Sequence, residues 1–436
     1  MQQEALPHTG TPVPFVARVT LRNYRSIEQC DVRLRPLTLL VGRNGAGKSN
    51  FLDALRFVTD ALQHSLQQAF NSRGGIAAVR RKSTGHPRNF AMRFELALAA
   101  GQTAVYRFAV AARRLGGFVV RREEAVIKEL GGDVLASYHI VRTGKGEDLK
   151  TTFSATVSPA PAPQSDRLYL PIISGFPAFR ELYDGLTAMG FYNLNPEKMR
   201  ELQTPEHGEL LVRDGRNLPS VIARLQQDEP AALERIEAYL AVIVPGVRKV
   251  ERIAHGGYET LQFSQEVKGA AHPWTFEALS MSDGTLRALG ILIAVAQLLG
   301  RKRPVRLVGI EEAETALHPA AAGALVDALR EAAVHTQVIA TSHSPEILDR
   351  LNIEADTLLV VRASGNRTVL APVDRGSLES LRHHLSTAGD LLRMDQLEPD
   401  ANDALRQEHL RWNQLDLPVL DVPGTDEDED EDEDDA

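Results

Sequence analysis

Leu37-Thr38-Leu39-Leu40-Val41-Gly42-Arg43-Asn44-Gly45-Ala46-Gly47-Lys48-Ser49 decides the fold of this chain, because an apolar run of strand length opens directly into Gly-x-x-x-x-Gly-Lys-Ser. Glycines at 42, 45 and 47 let the backbone turn tightly and aim its N–H groups at phosphates, and a helix starting near Lys48 adds the positive end of its dipole. Lys48 is expected to reach the β/γ-phosphates and the Ser49 hydroxyl to hold Mg²⁺. With glycine near 7% of residues, the bare pattern arises by chance in on the order of one chain in a hundred of this length. The apolar run before it and the amphipathic Phe51-Leu52-Asp53-Ala54-Leu55 after it lower that further. The opening of the chain therefore reads as an α/β nucleotide-binding unit.

Outward from this stretch, 436 residues with 43% hydrophobic content suffice for one large α/β domain carrying an elaborated insertion, or for two lobes. The longest apolar run, Ala288 to Gly300, contains Gln297 and falls short of the roughly 20 residues of a membrane span. Met1 to Pro14 is polar, without a basic start or an apolar signal core, so a flexible N-terminus and a soluble, cytoplasmic protein with no membrane partner are expected. The single cysteine, Cys30, excludes an internal disulfide and a multi-cysteine zinc site. Net charge is −9, but Asp426 to Asp435 supplies ten consecutive acids, which leaves the remainder at +1. That tail reads as a disordered solubilising extension or as a strip competing for a basic surface.

Phe15 to Leu21 and Asp31 to Leu34 alternate around Asn23-Tyr24-Arg25-Ser26 as an antiparallel pair, and Phe90 to Ala99, Thr103 to Ala111 and Gly117 to Glu129 read as a β-meander. Pro159 to Pro163 is a connector. From Phe176 to Val244 the spacing is helical and stops at Pro245-Gly246; Val250 to Glu266 alternates again, and helices and short strands follow. The expected organisation is residues 1–14 as a flexible N-terminus, 15–175 as the first part of the head with its antiparallel β-subdomain, 176–246 as an inserted helical lobe, 247–400 as the second part of the head, and 401–436 as an extension with the acidic tail. No heptad seam is sustained, so no coiled-coil arm is expected.

A nucleotide-hydrolysing P-loop protein needs a second, acid-tipped strand. Val305 to Ile310 supplies one, placing Glu311 near the Mg²⁺ shell and Glu312 where it polarises a water in line with the γ-phosphate, although Arg306 interrupts the run. A further apolar strand, Gln337 to Ala340, ends in Thr341-Ser342-His343-Ser344, which puts His343 at the ligand-binding edge of an open sheet. Ser282-Asp283-Gly284-Thr285 stands before the apolar helix Leu286 to Leu299, where hydroxyl and free N–H groups form either an ordinary N-cap or a second anion site.

Together these elements resemble the ATP-binding-cassette (ABC) type of ATPase, whose order is P-loop, signature loop, acidic strand, D-loop and switch histidine. Here that order is Gly42 to Ser49, Ser282 to Thr285, Glu311-Glu312, Thr315-Ala316-Leu317-His318 and His343. The chain is most similar to the RecF/SMC-like branch of standalone AAA ATPases that includes the OLD family, through Asn23-Tyr24-Arg25-Ser26, Asn44 to Asn50, Ser282 to Arg287, Glu311 to Glu314 with Leu317-His318-Pro319, and Thr341 to Pro345. The resemblance covers roughly 15–60 and 275–365. It implies ATP and Mg²⁺ as cofactors, nucleotide contacts from Gly42, Asn44, Gly45, Ala46, Gly47, Lys48, Ser49 and Asn50, metal contacts from Ser49 and Glu311, and catalysis by Glu312 and His343. It also implies a head-to-tail homodimer in which Ser282 and Gly284 close on the γ-phosphate of the partner. Glu311 stands where ABC proteins usually have aspartate and Ala313 where proline is common. Gln102 lies near a strand end, and the Q-loop glutamine is left unassigned.

No Asp-x-Asp element outside the tail suits a Toprim nuclease, so any nuclease or toxin is expected on a separate effector protein. His383-His384 reads as a surface pair rather than a metal site. Arg80-Arg81-Lys82 and Arg88 are either candidate DNA phosphate contacts or a solvated basic loop. Two outputs stay open: a DNA-related process, in repair or antiphage defence, or ATP-switched control of a partner protein without DNA.

Overall fold

A computed structural model describes residues 14–83, 87–113, 116–144, 148–296, 305–352 and 356–408. The acidic run 426–435, residues 1–13 and the last part of the apolar run at 297–300 lie outside the described residues. Along the chain, β1 (Val16–Tyr24) and β2 (Ile27–Arg33) form a hairpin, and β3 (Leu37–Val41) leads through the P-loop into α1 (Lys48–Gln63). A meander follows: β4 (Asn89–Ala97), β5 (Thr103–Ala112), β6 (Phe118–Lys128), β7 (Val134–Thr143) and β8 (Lys150–Ala155). Then come β9 (Met189–Tyr192), β10 (Val247–His255), β11 (Tyr258–Gln265), β12 (Trp274–Glu277), β13 (Leu307–Ile310), β14 (Gln337–Ser342), β15 (Thr357–Ser364) and β16 (Arg367–Pro372).

These strands make three sheets. A seven-stranded antiparallel sheet runs β2-β1-β4-β5-β6-β7-β8, a three-stranded one runs β10-β11-β12, and a six-stranded one runs β16-β15-β3-β14-β13-β9. In the last, β15, β3, β14, β13 and β9 are parallel and β16 is antiparallel at the edge. All five residues of β3 are buried, as expected for a strand inside a parallel sheet covered on both faces. Leu40 points into the core shared with the antiparallel sheet, while Leu37, Leu39 and Val41 point into the opposite core with the helix Asp283–Ala296. Arg306 interrupts its apolar run harmlessly, because it lies just before β13, stacks its guanidinium over the Phe15 ring at 5.1 Å and faces Glu181 at 3.7 Å.

The Asn23 to Ser26 turn explains itself through α1. Tyr24 Oη donates to Asp53 Oδ2 at 2.6 Å, and the Arg25, Arg56 and Arg73 guanidinium groups converge on the same carboxylate at 2.9, 2.7 and 3.0 Å. Burial works against ionisation of Asp53, yet Arg73, the Tyr24 hydroxyl and Arg25 outweigh it and hold the carboxyl below its ordinary value. The Arg73 side chain is 1% exposed and would keep only Asp60, 2.8 Å away, as its carboxylate, so Asp53→Ala, which also takes the partner from the Tyr24 hydroxyl and from Arg25, is expected to cost about 3 kcal/mol, read by denaturant unfolding. Because the folded pKa is depressed, this contribution is complete above the unfolded carboxyl's range, near 4, and is lost as pH falls through the lower folded value. Wild type should therefore lose stability on acidification through that window more steeply than the variant.

The stretch 176–246 is not helical throughout. Helix Pro177–Thr187 packs on α1, where Thr59 Oγ1 donates to the Leu186 carbonyl at 3.0 Å. Met189–Tyr192 then joins the parallel sheet as β9, beside β13. Four residues with a glycine carry no alternation, which is why the sequence pattern hides this strand. Helices Leu218–Asp228 and Pro230–Ile243 share one core with β10, β11 and the helix Asp283–Ala296. The meander also gains β7 and β8; β7 buries Ala136, Tyr138, Ile140 and Arg142 at a period of two.

Candidate functional site

The register of the parallel sheet brings three loops to one edge. Val41 is level with Ser342, and Ile310 with Ala340, so the P-loop, His343 and the acids after β13 emerge from neighbouring carboxyl ends. In the P-loop, Gly42, Gly45 and Gly47 have φ of 154, 78 and 111°. A Cβ at Gly42 would fall on the Val361 carbonyl of β15, and one at Gly47 on Thr368. Thr368 Oγ1 donates to the Ala46 carbonyl at 2.9 Å and meets Ser26 Oγ at 2.7 Å, and Ser26 in turn accepts from Asn50 Nδ2 at 2.6 Å. The N-Y-R-S turn and β16 thus clamp the loop from outside.

Lys48 Nζ donates to the Gly42 and Arg43 carbonyls at 2.6 and 3.1 Å. Burial pulls the ammonium below its ordinary value, and Glu314, then Glu312, act the other way. A cation folded over a glycine-rich loop at a helix N-terminus is an arrangement that accepts a polyphosphate.

Beyond β13, Glu311 pairs with Arg213 at 2.7 Å. Glu312 is exposed and takes φ +49°, an uncommon setting for a non-glycine residue. Its N–H donates to Thr341 Oγ1 at 2.8 Å, and Thr315 Oγ1 donates to its Oε2 at 3.2 Å. Arg287 braces this turn: its guanidinium donates to the Leu194 carbonyl at 2.6 Å and to the Glu312 carbonyl at 3.0 Å. In the sequence Arg287 ends the Ser282 to Arg287 stretch and is the sole basic residue of an apolar helix, which does not reveal this bracing role.

Ser282 and Gly284 do not join this cluster. Ser282 Oγ accepts from the Thr285 N–H at 3.2 Å as the N-cap of helix Asp283–Ala296, Asp283 pairs with Arg200, and a Cβ on Gly284 would strike the Ala316 carbonyl of the D-loop. Among the described residues, the hydrogen bonds and ion pairs of this loop go to its own helix and to Arg200, while those leaving the P-loop go to Thr368 and Asp395.

The family described as "AAA domain, putative AbiEii toxin, Type IV TA system" matches residues 37–349, from β3 to just past His343. The chain belongs to this AAA family. Comparison with curated proteins finds no match. Among solved structures, an SMC head bound to the C-winged-helix domain of ScpA is similar at a TM-score of 0.54 and 15% identity, covering 84% of this chain and 99% of that one. The SMC head domain from Thermotoga maritima gives 0.43 and 13%, covering 82% and 99%. An Smc head with an extended coiled coil, bound to the C-terminal domain of ScpA from Pyrococcus furiosus, gives 0.48 and 12%, covering 86% and 100%. The fold of this AAA-family chain is that of an ABC-type, SMC-like ATPase head.

The remaining candidates of the AAA head fall elsewhere. Gln102 lies in the β4–β5 hairpin, bonded to Leu98 beside Phe15, at the end of the sheet away from Tyr24 and Asn50. The strand flanking β13 is β9, and its carboxyl end presents Asn193. His383 and His384 are exposed after helix Arg375–Arg382. Arg81 is 10% exposed and faces Glu28 at 3.4 Å, which leaves Lys82 and Arg88 as the exposed members of that basic segment. A cavity of about 1340 Å³ lies beside the site between α1, β9 and residues 209–229 and reaches it through Arg213.

Among the described residues no group of three or more His, Cys, Asp or Glu could hold a metal ion alone. The Ser49 hydroxyl at the start of α1 and the Glu311 carboxylate after β13 are oxygen donors of the kind that Mg²⁺ takes, few in number, together with substrate phosphates. No described helix is long and apolar enough to cross a membrane.

Proposed function

We propose that this chain binds ATP with Mg²⁺ and hydrolyses it to ADP and phosphate as a head-to-tail homodimer in the cytoplasm. The single observation that supports this best is the convergence of the P-loop, the Glu311-Glu312 turn and His343 on one edge of the parallel sheet. In this reading the N–H groups of 42–50 and the Lys48 ammonium bind the triphosphate, and Ser49 and Glu311 hold the metal, with Arg213 giving up Glu311. Mg²⁺ would supply charge neutralisation between the β- and γ-oxygens. Glu312 orients the attacking water and takes its proton, and His343 contacts that water or the γ-phosphate.

The signature loop supports the shared site. Its hydrogen bonds and ion pairs go to its own helix and to Arg200 rather than to its own P-loop, which leaves the Ser282 hydroxyl and the helix N-terminus to act on the γ-phosphate of a second copy. Ser282→Arg should leave ATP affinity within about threefold and lower turnover on the order of 10²-fold, since donors aimed at the transferring phosphoryl group are lost. Unchanged turnover would argue for a site complete in one chain.

For the output we propose a DNA-related process, in repair or antiphage defence, acting through a separate effector. Exposed Lys82 and Arg88 are the phosphate contacts this reading uses. The engagement of Arg81 with Glu28 favours the second reading, an ATP-switched head that controls a partner protein. The SMC head described with a ScpA winged-helix domain is an example of such a head holding a protein.

A further inference from the structure

β16 is an edge strand of the parallel sheet, yet one of its side chains reaches the phosphate loop. Thr368 is 3% exposed, and its hydroxyl donates to the Ala46 carbonyl at 2.9 Å. A hydroxyl has one proton and a carbonyl only accepts, so that proton is committed. Ser26 Oγ, 2.7 Å from Thr368 Oγ1, is therefore the donor to it, and Ser26 in turn accepts from Asn50 Nδ2 at 2.6 Å. The four groups form a chain with one direction, from Asn50 through Ser26 and Thr368 to Ala46. The Thr368 N–H also donates to the Ser26 carbonyl at 2.9 Å, so strand and turn are joined twice. Both Ser26 and Thr368 lie outside residues 37–349, the stretch that the AAA family matches.

The Ala46–Gly47 peptide is trans, so its carbonyl and its N–H point to opposite sides of one plane. Holding the carbonyl on β16 aims the Gly47 N–H away from that strand. Gly47 is the N-cap of α1 with φ 111°, and a Cβ there would fall on Thr368. Glycine rotates freely, so the hydrogen bond sets how this peptide is turned. We propose that Thr368 is a positioning residue whose hydroxyl, oriented by Ser26 and Asn50, presents the Gly47 N–H to a phosphate oxygen. Packing of β16 against the loop would need only the shape of threonine; this role needs its hydroxyl. The consequence for affinity rests on the ATP reading; the turn of the peptide does not.

The test compares Thr368→Val, which keeps the shape, with Thr368→Ser, which keeps the hydroxyl. In full-length protein carrying ¹³C-carbonyl alanine and ¹⁵N glycine, the Ala46–Gly47 peptide gives one of four Ala-Gly correlations, identified by its loss in Ala46→Ser. Before ATP is added, Thr368→Val should shift that correlation and Thr368→Ser should leave it near its wild-type position. ATP affinity by calorimetry should fall on the order of tenfold in Thr368→Val and stay within about threefold in Thr368→Ser. KM should rise with the loss of affinity while kcat changes far less, because the loop holds ground state and transition state alike. In the Thr368→Val background, Ser26→Ala should weaken binding by less than about a further twofold. A correlation or an ATP affinity unmoved in Thr368→Val, a Thr368→Ser protein as weak as Thr368→Val, or additive losses in the double variant would overturn the proposal. A correlation that follows the hydroxyl in a protein that binds no ATP would uphold the positioning and refute the ATP reading instead.

Discussion

Glu312→Gln is expected to lower ATP turnover by about 10²–10⁴-fold while ATP affinity stays within a few-fold. The amide keeps the size of the side chain and can still accept from Thr315, 3.2 Å away, so the geometry of the turn survives. It cannot take a proton from water at neutral pH. The backbone of the turn is held independently, by the Glu312 N–H on Thr341 and the Glu312 carbonyl on Arg287, so the change is confined to chemistry. Radiolabelled ATP retention and phosphate release separate the two effects. The ATP-locked variant, isolated from its native cell, also sorts the two outputs: retained nucleic acid speaks for the DNA-related process, and a retained protein without nucleic acid for the regulatory one.

Lys48→Ala is the second large effect, and it falls on binding. The ammonium bonds two P-loop carbonyls, and it is the one cation buried inside the loop. Charge-assisted bonds to phosphate are worth about 1.5–3 kcal/mol each. Losing one or two of them should weaken ATP binding on the order of 10²–10³-fold by calorimetry. Lys48→Met, which keeps the buried stem, should lose affinity equally, because the charge and not the packing carries the effect. Near-normal affinity in both variants would remove the phosphate site from this loop.

The parts of this site that announce themselves in the sequence do so locally. A glycine-rich turn, a pair of acids and a histidine each end an apolar run, and β3, β13 and β14 follow the runs that predict them. What the sequence hides is pairing across distance. Ser26 meets Thr368 across 342 positions, Arg213 meets Glu311 across 98, and Arg287 reaches Leu194 across 93. None of these has a spacing rule, because each depends on which strands become neighbours. β9 is hidden for a different reason: four residues, one of them glycine, are too short for periodicity to show. Glu314 stood in plain sight within Glu311 to Glu314, but its bond to the His343 N–H depends on β13 and β14 being adjacent.

Sedimentation of the Glu312→Gln protein with saturating ATP and Mg²⁺, paired with wild-type turnover per chain across protein concentration, tests the shared site most directly. Two heads that complete each other should sediment as a dimer only with ATP, and turnover per chain should rise with concentration to a plateau. A single-chain mass with ATP bound, and turnover per chain independent of concentration, would contradict it.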